Sequence, residues 1–244
     1  MATNKLNIAL IGYGKMGKTI EKVAKERGHH IVAIVNSDGP TRIEQLPDNI
    51  HIAIEFSVPD AAYMNLKALA KKSIPTVCGT TGWLDNYEEI CNDYAGAKSS
   101  FLYASNFSIG VNLFFAVNQH LAKIMGTQMD YNVSITESHH VTKLDAPSGT
   151  AITLAEQVID NHPVKTTWKR EIDPDINTNS ISIKSIREAD VKGMHEIIYD
   201  SEVDAITIKH EAFTRKGFAL GAVLAAEFIA NKQGVFQMSD VLNI

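Results

Sequence analysis

Apolar and polar positions follow two different rhythms along this chain. Residues 5–11 (Lys-Leu-Asn-Ile-Ala-Leu-Ile) form an apolar run ending at Gly12, which suits a strand buried on both faces of a parallel sheet. From about Met16 the period lengthens: Ile20, Val23 and Ala24 fall on one helical face and Lys18, Glu21, Lys22 and Lys25 on the other, with Gly28 as the stop. Apolar runs at 30–35, 51–56, 76–78 and 101–103 predict strands, with helices over 60–72 and 85–94 between the last three. Strand and helix taking turns in this way specify a doubly wound, Rossmann-like α/β sheet.

The rhythm changes after Asn106. A helix is expected over 111–125, and then 131–137 (Tyr-Asn-Val-Ser-Ile-Thr-Glu) alternates polar with apolar, as a strand with one buried face does. Residues 181–186, 195–199 and 205–209 repeat that alternation, with turns at 190–193 and 200–204 and one helix at 150–159. These elements predict an α+β substrate and oligomerisation domain on an open mixed sheet, most of it antiparallel. The segment 161–179, with Pro163 and Pro174, reads as a loop. A last helix at 217–230, rich in Ala and Gly, is expected to pack closely against the first domain. The domains are therefore 1–106 plus 215–244 and 107–214, with hinges expected near Asn106 and Thr214.

Composition narrows the function. With 45% apolar and 21% charged residues the chain is globular, and a formal charge of -5 with no basic stripe excludes nucleic acid as the main partner. No apolar run approaches the roughly 20 residues that cross a bilayer, and the segment 6–11 is strand-length, unlike a secretory leader. Cys78 and Cys91 form neither a disulfide framework nor a metal spacing, as in a cytoplasmic protein with reduced thiols.

Two regions carry chemistry. Gly12-Tyr13-Gly14-Lys15-Met16-Gly17 follows a predicted strand and opens a predicted helix, the context in which GxGxxG binds a dinucleotide. The acidic residue that holds a ribose 2′-hydroxyl at the end of the second strand is here Asn36, which does not repel a 2′-phosphate; Lys15 and Arg42 are candidate partners for it, and the balance leans to NADPH with NADH open. Gly79-Thr80-Thr81-Gly82 and Ala104-Ser105-Asn106-Phe107 stand at later strand ends, the edge where such sheets collect ligands.

The second region is 139–150. His139 and His140 each offer a neutral acceptor or a charged donor near pH 7, and Lys143 is a proton-bearing cation. Ser148, Gly149 and Thr150 open a helix, where hydroxyl and backbone donors meet an anion. On a continuing strand the two histidines would point to opposite faces. That divergence, with a cation at Lys143, argues against a metal site. Lys184, Arg187, His195, Lys209, His210, Arg215 and Lys216 are candidates for a second anion contact, so a small dicarboxylate is the expected ligand.

The run Glu137-Ser138-His139-His140-Val141-Thr142-Lys143-Leu144-Asp145-Ala146-Pro147-Ser148-Gly149-Thr150-Ala151 resembles the dihydrodipicolinate reductase family, as do the glycine turn, 79–82, 105–112 and 210–226. The resemblance implies reduction by NADH or NADPH of 4-hydroxy-tetrahydrodipicolinate, a small cyclic dicarboxylate, to tetrahydrodipicolinate in lysine and diaminopimelate synthesis. It implies Lys143 as proton donor with His139 as its catalytic partner, and His140, Gly149 and Thr150 as substrate contacts. Residues 12–17, 79–81 and 104–107 are implied nucleotide contacts, and the family's assembly is a homotetramer. The sequence departs from the family at Asn36, at Ala189 where glycine is common, and in the short spacing from Asn36 to His51. Two other functions fit a similar layout: another two-domain amino-acid-pathway dehydrogenase, or a nucleotide-sensing protein without turnover.

Overall fold

The computed structural model describes residues 5–37, 39 and 42–244. In chain order its elements are β1 (Asn7–Ile11), α1 (Lys15–Glu26), β2 (His30–Val35), β3 (Ile52–Glu55), α2 (Pro59–Lys71), β4 (Thr76–Cys78), α3 (Tyr87–Gly96), β5 (Ser100–Tyr103) and α4 (Ile109–Met125). There follow β6 (Asn132–His139), α5 (Gly149–Ile159), β7 (Thr167–Arg170), β8 (Ser180–Arg187), β9 (Met194–Asp200), β10 (Ala205–Glu211), α6 (Lys216–Ile229), β11 (Gly234–Phe236) and α7 (Met238–Leu242). The chain divides into two compact units, Met1–Asn112 with Arg215–Ile244, and Leu113–Thr214. The first division falls inside α4, beyond Asn106, because the first turn of that helix is tied back. Asn106 Oδ1 accepts from the Ser108 N–H at 2.9 Å, and Asn112 Nδ2 donates to the carbonyls of Asn106 and Ser108 at 3.0 and 2.9 Å.

The first unit holds a six-stranded parallel sheet in the order β11-β5-β4-β3-β1-β2. Its central strands are mostly apolar because both faces are covered, with Glu55 at the end of β3 and Thr76 at the start of β4 buried as well. Ile8 and Leu10 of β1 join a core with Ile20 and Val23 of α1 and Ala222 and Ala226 of α6, while Ala9 and Ile11 pack with Leu69 of α2. Between β2 and β3 lies one short 3-10 turn, Ile43–Gln45, and β3 pairs with β1 on the side away from β2. The chain order thus reverses around β1, which makes the carboxyl ends of β1 and β3 the ligand edge of this sheet.

The second unit is a five-stranded sheet in the order β10-β9-β6-β8-β7. Two of its pairings are antiparallel (β10 with β9, β9 with β6) and two are parallel (β6 with β8, β8 with β7), so the sheet is evenly mixed where a mostly antiparallel one was expected. Period-2 alternation reports one buried face and is silent on strand direction. The segment expected to be all loop, 161–179, contains β7 as an edge strand. One face is apolar and covered: Val133, Ile135, Ile183 and Ile197 pack against Phe114 and Met125 of α4 and Leu154 and Val158 of α5. Among the described residues no helix is long and apolar enough to cross a membrane.

Candidate active site

In the first unit each glycine of the turn does different work. Gly12 sits at φ 90°, and a Cβ there would lie 2.1 Å from the Phe56 carbonyl oxygen; a Cβ on Gly17 would lie 2.4 Å from the Gly12 carbonyl. These two allow the turn and the close approach of α1. A Cβ on Gly14 would meet nothing within 4 Å, so the middle glycine faces open space. Gly14 is also the N-cap of α1, which has no side-chain cap and no acidic residue in its first turn. Free N–H groups and the positive end of the helix dipole are left for an anion.

That space is a cavity of about 540 Å³ lined by Gly12, Tyr13, Gly14, Asn36, Arg42, Phe56 and Ser57 among others, within the size range of a cofactor cleft. Lys15 and Met16 are the first two residues of α1 and follow Gly14 directly. Asn36 follows the end of β2 and lines the cavity, as does Arg42, whose guanidinium donates to the Gly39 carbonyl at 2.7 Å. These features fit a dinucleotide.

The later turns act partly as scaffold. Buried Thr80 accepts from the Ser57 N–H at 2.8 Å and so holds the loop after β3, while Thr81 is exposed. A Cβ on Gly79 would strike the Phe56 ring. Ala104 and Asn106 are half-buried and Ser105 is exposed after β5. Phe107 is buried in the core against Phe56, with ring centroids 5.6 Å apart. Its carbonyl packs where a Cβ on Gly221 of α6 would fall.

In the second unit the register of the sheet assembles the site. Along the covered face of β6 come Val133, Ile135, Glu137 and His139. Glu137 pairs with His195 of β9 and Ser185 of β8, His139 with Arg187, and His195 with His210 of β10. The apolar layer therefore gives way, at one end of the same face, to a layer of ionisable groups. β6 runs two residues past the expected end at Glu137, which puts His139 on the strand and His140 just beyond it. His139 is buried and lies against His195, ring centroids 5.0 Å apart; half-buried His140 turns its Nδ1 to the Thr142 hydroxyl at 2.8 Å.

Glu137 is fully buried. It accepts from the Ser148 N–H at 3.1 Å on each oxygen and from the Ser185 hydroxyl at 2.8 Å, with Arg187 Nη2 at 3.6 Å. Burial alone would push its carboxyl up, but the nearby His195 imidazole and the hydrogen bonds from Ser148 and Ser185 outweigh that and hold it down at about 2. The His139 imidazole is lowered to about 4, first by burial and then by its neighbours His195, Lys143 and Arg187, with Glu137 opposing. Lys143 Nζ donates to both Asp145 oxygens at 2.8 Å. Arg187 Nη2 donates to the Asp145 carbonyl at 2.6 Å and so secures that loop.

Ser148 differs from its expected role. Its N–H goes to Glu137, and its hydroxyl, 3.0 Å from His195 Nε2, accepts from the Ala151 N–H as the N-cap of α5. Both groups are spent internally, because Ser148 is buried. A Cβ on Gly149 would meet nothing within 4 Å, so the exposed start of α5 at Gly149 and half-buried Thr150 is the anion-facing surface.

Strand alternation sorts the remaining cations. Lys184 and Lys209 lie on the opposite face, paired with Glu171 and Glu211, whereas Arg187, His195 and His210 share the face of His139. Arg215 and Lys216 belong to the first unit, where Lys216 pairs with Glu26. Glu137 and Ser185 were not among the residues read from the sequence; Arg187 and His195 were, as contacts for a second substrate anion, and the sheet places both beside the Glu137 carboxylate. The signal for Glu137 was present as the charged end of an apolar alternation. Ligand atoms of Glu137, His139 and His195 lie within 4.8 Å of one another. The carboxylate already accepts three hydrogen bonds beside Arg187, which suits an ion-paired cluster better than a cation.

Comparison with known proteins agrees with this geometry. Residues 6–107 match the model of the dihydrodipicolinate reductase N-terminus and 110–242 that of its C-terminus. The 4-hydroxy-tetrahydrodipicolinate reductase of Christiangramia forsetii is 48% identical over 98% of both chains, and that of Rickettsia bellii is 36% identical over 96% of this chain and 94% of its own. A dipicolinate-bound dihydrodipicolinate reductase from Paenisporosarcina sp. TG-14 shares the fold, with a TM-score of 0.73 at 19% identity over 96% of this chain and 98% of that one. With a nucleotide turn in one unit, a histidine-lysine cluster in the other and both family models matched across nearly its whole length, the chain belongs to the dihydrodipicolinate reductase family.

Proposed function

We propose that this chain reduces 4-hydroxy-tetrahydrodipicolinate to tetrahydrodipicolinate, with NADH or NADPH, in lysine and diaminopimelate synthesis. The observation that carries this is the start of α5: Gly149 is open to solvent while Ser148, beside it, is locked to buried Glu137. Amides of Gly149 and Thr150 bind a substrate carboxylate there. The ring loses its 4-hydroxyl, with a proton from the neighbouring carbon, as water, and takes up a hydride and a proton in return; His139, neutral at working pH, sits beside the ring as hydrogen-bond partner, and Lys143 holds at Nζ the proton destined for that neighbouring carbon. The same ammonium offsets negative charge as it develops on the substrate, and Asp145 aims it. A bound nicotinamide supplies the hydride. Gly12 to Gly17, with Gly79 to Thr81 and Ala104 to Phe107, hold that cofactor, and uncharged Asn36 beside Arg42 favours NADPH while admitting NADH.

The reading extends to a cytoplasmic homotetramer. The open face of the second sheet, carrying Ser134, Thr136, Ser182, Lys184, Glu196 and Ile198, gives a subunit surface to pair with its copy. Oxidation of NADPH or NADH at 340 nm, with substrate freshly generated from pyruvate and aspartate semialdehyde, tests the reaction. Turnover with a higher kcat/KM for NADPH is expected. Tight nucleotide binding without turnover would identify a sensor instead, and a monomer by light scattering at micromolar concentration would end the tetramer.

A further inference from the structure

In the proposed reaction His139 and the start of α5 have separate tasks, yet one side chain contacts both. Glu137 lies beneath them, fully buried, and takes no part in the chemistry already assigned. Its two oxygens accept the Ser148 N–H, which fixes where α5 begins. Its Oε2 stands 3.4 Å from His139 Nδ1 and 3.7 Å from His195 Nε2. His139 Nδ1 is buried with no hydrogen-bond partner among the described residues. The groups around this carboxylate are Arg187 from β8, His195 from β9 with His210 of β10 behind it, and Lys143 and Asp145 from the loop.

We infer that Glu137 is a positioning residue for the reaction: its carboxylate sets the tautomer of His139 and the placement of the anion-binding end of α5 together. An ionised carboxylate only accepts, so the imidazole nitrogen facing it is the one that carries the hydrogen. His139 therefore holds N–H at Nδ1 and keeps Nε2 as an acceptor. The same oxygens keep the Ser148 amide occupied, so the substrate carboxylate meets Gly149 and Thr150 in one register. A glutamine at this position has one acceptor oxygen and a competing N–H₂ donor, and cannot satisfy both demands.

This inference rests on the proposed reaction only for its kinetic arm. Imidazole ¹⁵N NMR of the substrate-free protein reads the tautomer directly: the unaltered chain is expected to show Nδ1–H at His139 and Glu137→Gln a shift toward Nε2–H. The same variant should bind dipicolinate about tenfold more weakly and lose about 10²-fold in kcat/KM through both kcat and KM, with NADPH affinity unchanged. Glu137→Asp, which keeps an all-acceptor group, should recover part of each loss. If Glu137→Gln does not fold, Ser185→Ala, which removes one donor to Oε1 and leaves the carboxylate an all-acceptor group, should keep Nδ1–H at His139 and weaken dipicolinate binding by a smaller factor. An unchanged tautomer and dipicolinate affinity in a folded variant would overturn the inference. Absence of turnover in the unaltered chain would overturn the reaction and leave the tautomer result standing.

Discussion

The two candidate ligand sites, one in each unit, prepare for charge in opposite ways. At 12–17 the first unit offers backbone and empty space: a helix start without a side-chain cap and a glycine at which a Cβ would meet nothing. At 137–150 the second unit offers side chains already bonded to one another around a buried carboxylate. The first arrangement needs only glycines at fixed spacing. The second needs groups delivered from β6, β8, β9 and the start of α5, so its parts are useless until the sheet is in register. A nucleotide phosphate is recognised by helix-end geometry; a reacting ring needs proton donors held at defined atoms.

The largest expected effect lies in the side-chain half. Lys143→Ala should lower kcat by about 10² to 10⁴ with a much smaller change in KM, because the lost group acts mainly in the transition state. Steady-state rates with saturating NADPH measure this, and an unchanged kcat would remove Lys143 from the mechanism.

Next come two glycine substitutions in the backbone half, which should behave differently. Gly12→Ala meets the Phe56 carbonyl at φ 90° and should cost about 2–4 kcal/mol of stability in denaturant melts. Gly14→Ala, at φ -77° and with no neighbour, should melt unchanged but bind NADPH about tenfold more weakly, about 1.4 kcal/mol. Equal melting losses for the two would mean that Gly14 is structural and not a ligand position.

The comparison also has a pH signature. Folded His139 stays neutral down to about 4, whereas the unfolded chain takes up this proton near 6.5. The unfolded state thus binds more protons between these values, and stability falls as pH drops from about 6.5 to about 4, by about 3 kcal/mol from this group. Glu137, held at about 2 against an ordinary 4.5, contributes stability that is lost lower still, as pH falls from 4.5 toward 2. His139→Gln should flatten the upper part of a urea-denaturation series across pH relative to the unaltered chain. Parallel curves would place the imidazole in water.

Legibility in the sequence divides along the same line. The parallel sheet, α1, the tight turn at Gly12 and the close packing at Gly17 follow from local spacing, and the structure has them so, with open space at Gly14. The identity of the site segment at 139–150 was equally plain. What could not be read was which distant residues complete it. Arg187 and His195 looked no different from Lys184 and Lys209 until pairing put the first two on the face of His139 and the others opposite. Ser148 carried the right chemistry for an anion, and only its burial shows both its polar groups spent. Edge strands β7 and β11 were missed because four and three residues in a polar setting carry too little periodicity to register.

The return of the chain to the first unit has a consequence for synthesis. Ala222, Ala226, Ile229 and Met238 complete the layer that covers Ile8, Leu10 and Leu102, so residues made first wait for residues made more than two hundred positions later. On a ribosome the inserted unit, whose core is drawn from a continuous stretch, can close while one face of the nucleotide-binding sheet still has α1 but lacks α6. Dinucleotide affinity in nascent chains of increasing length would therefore switch on only after α6 has emerged.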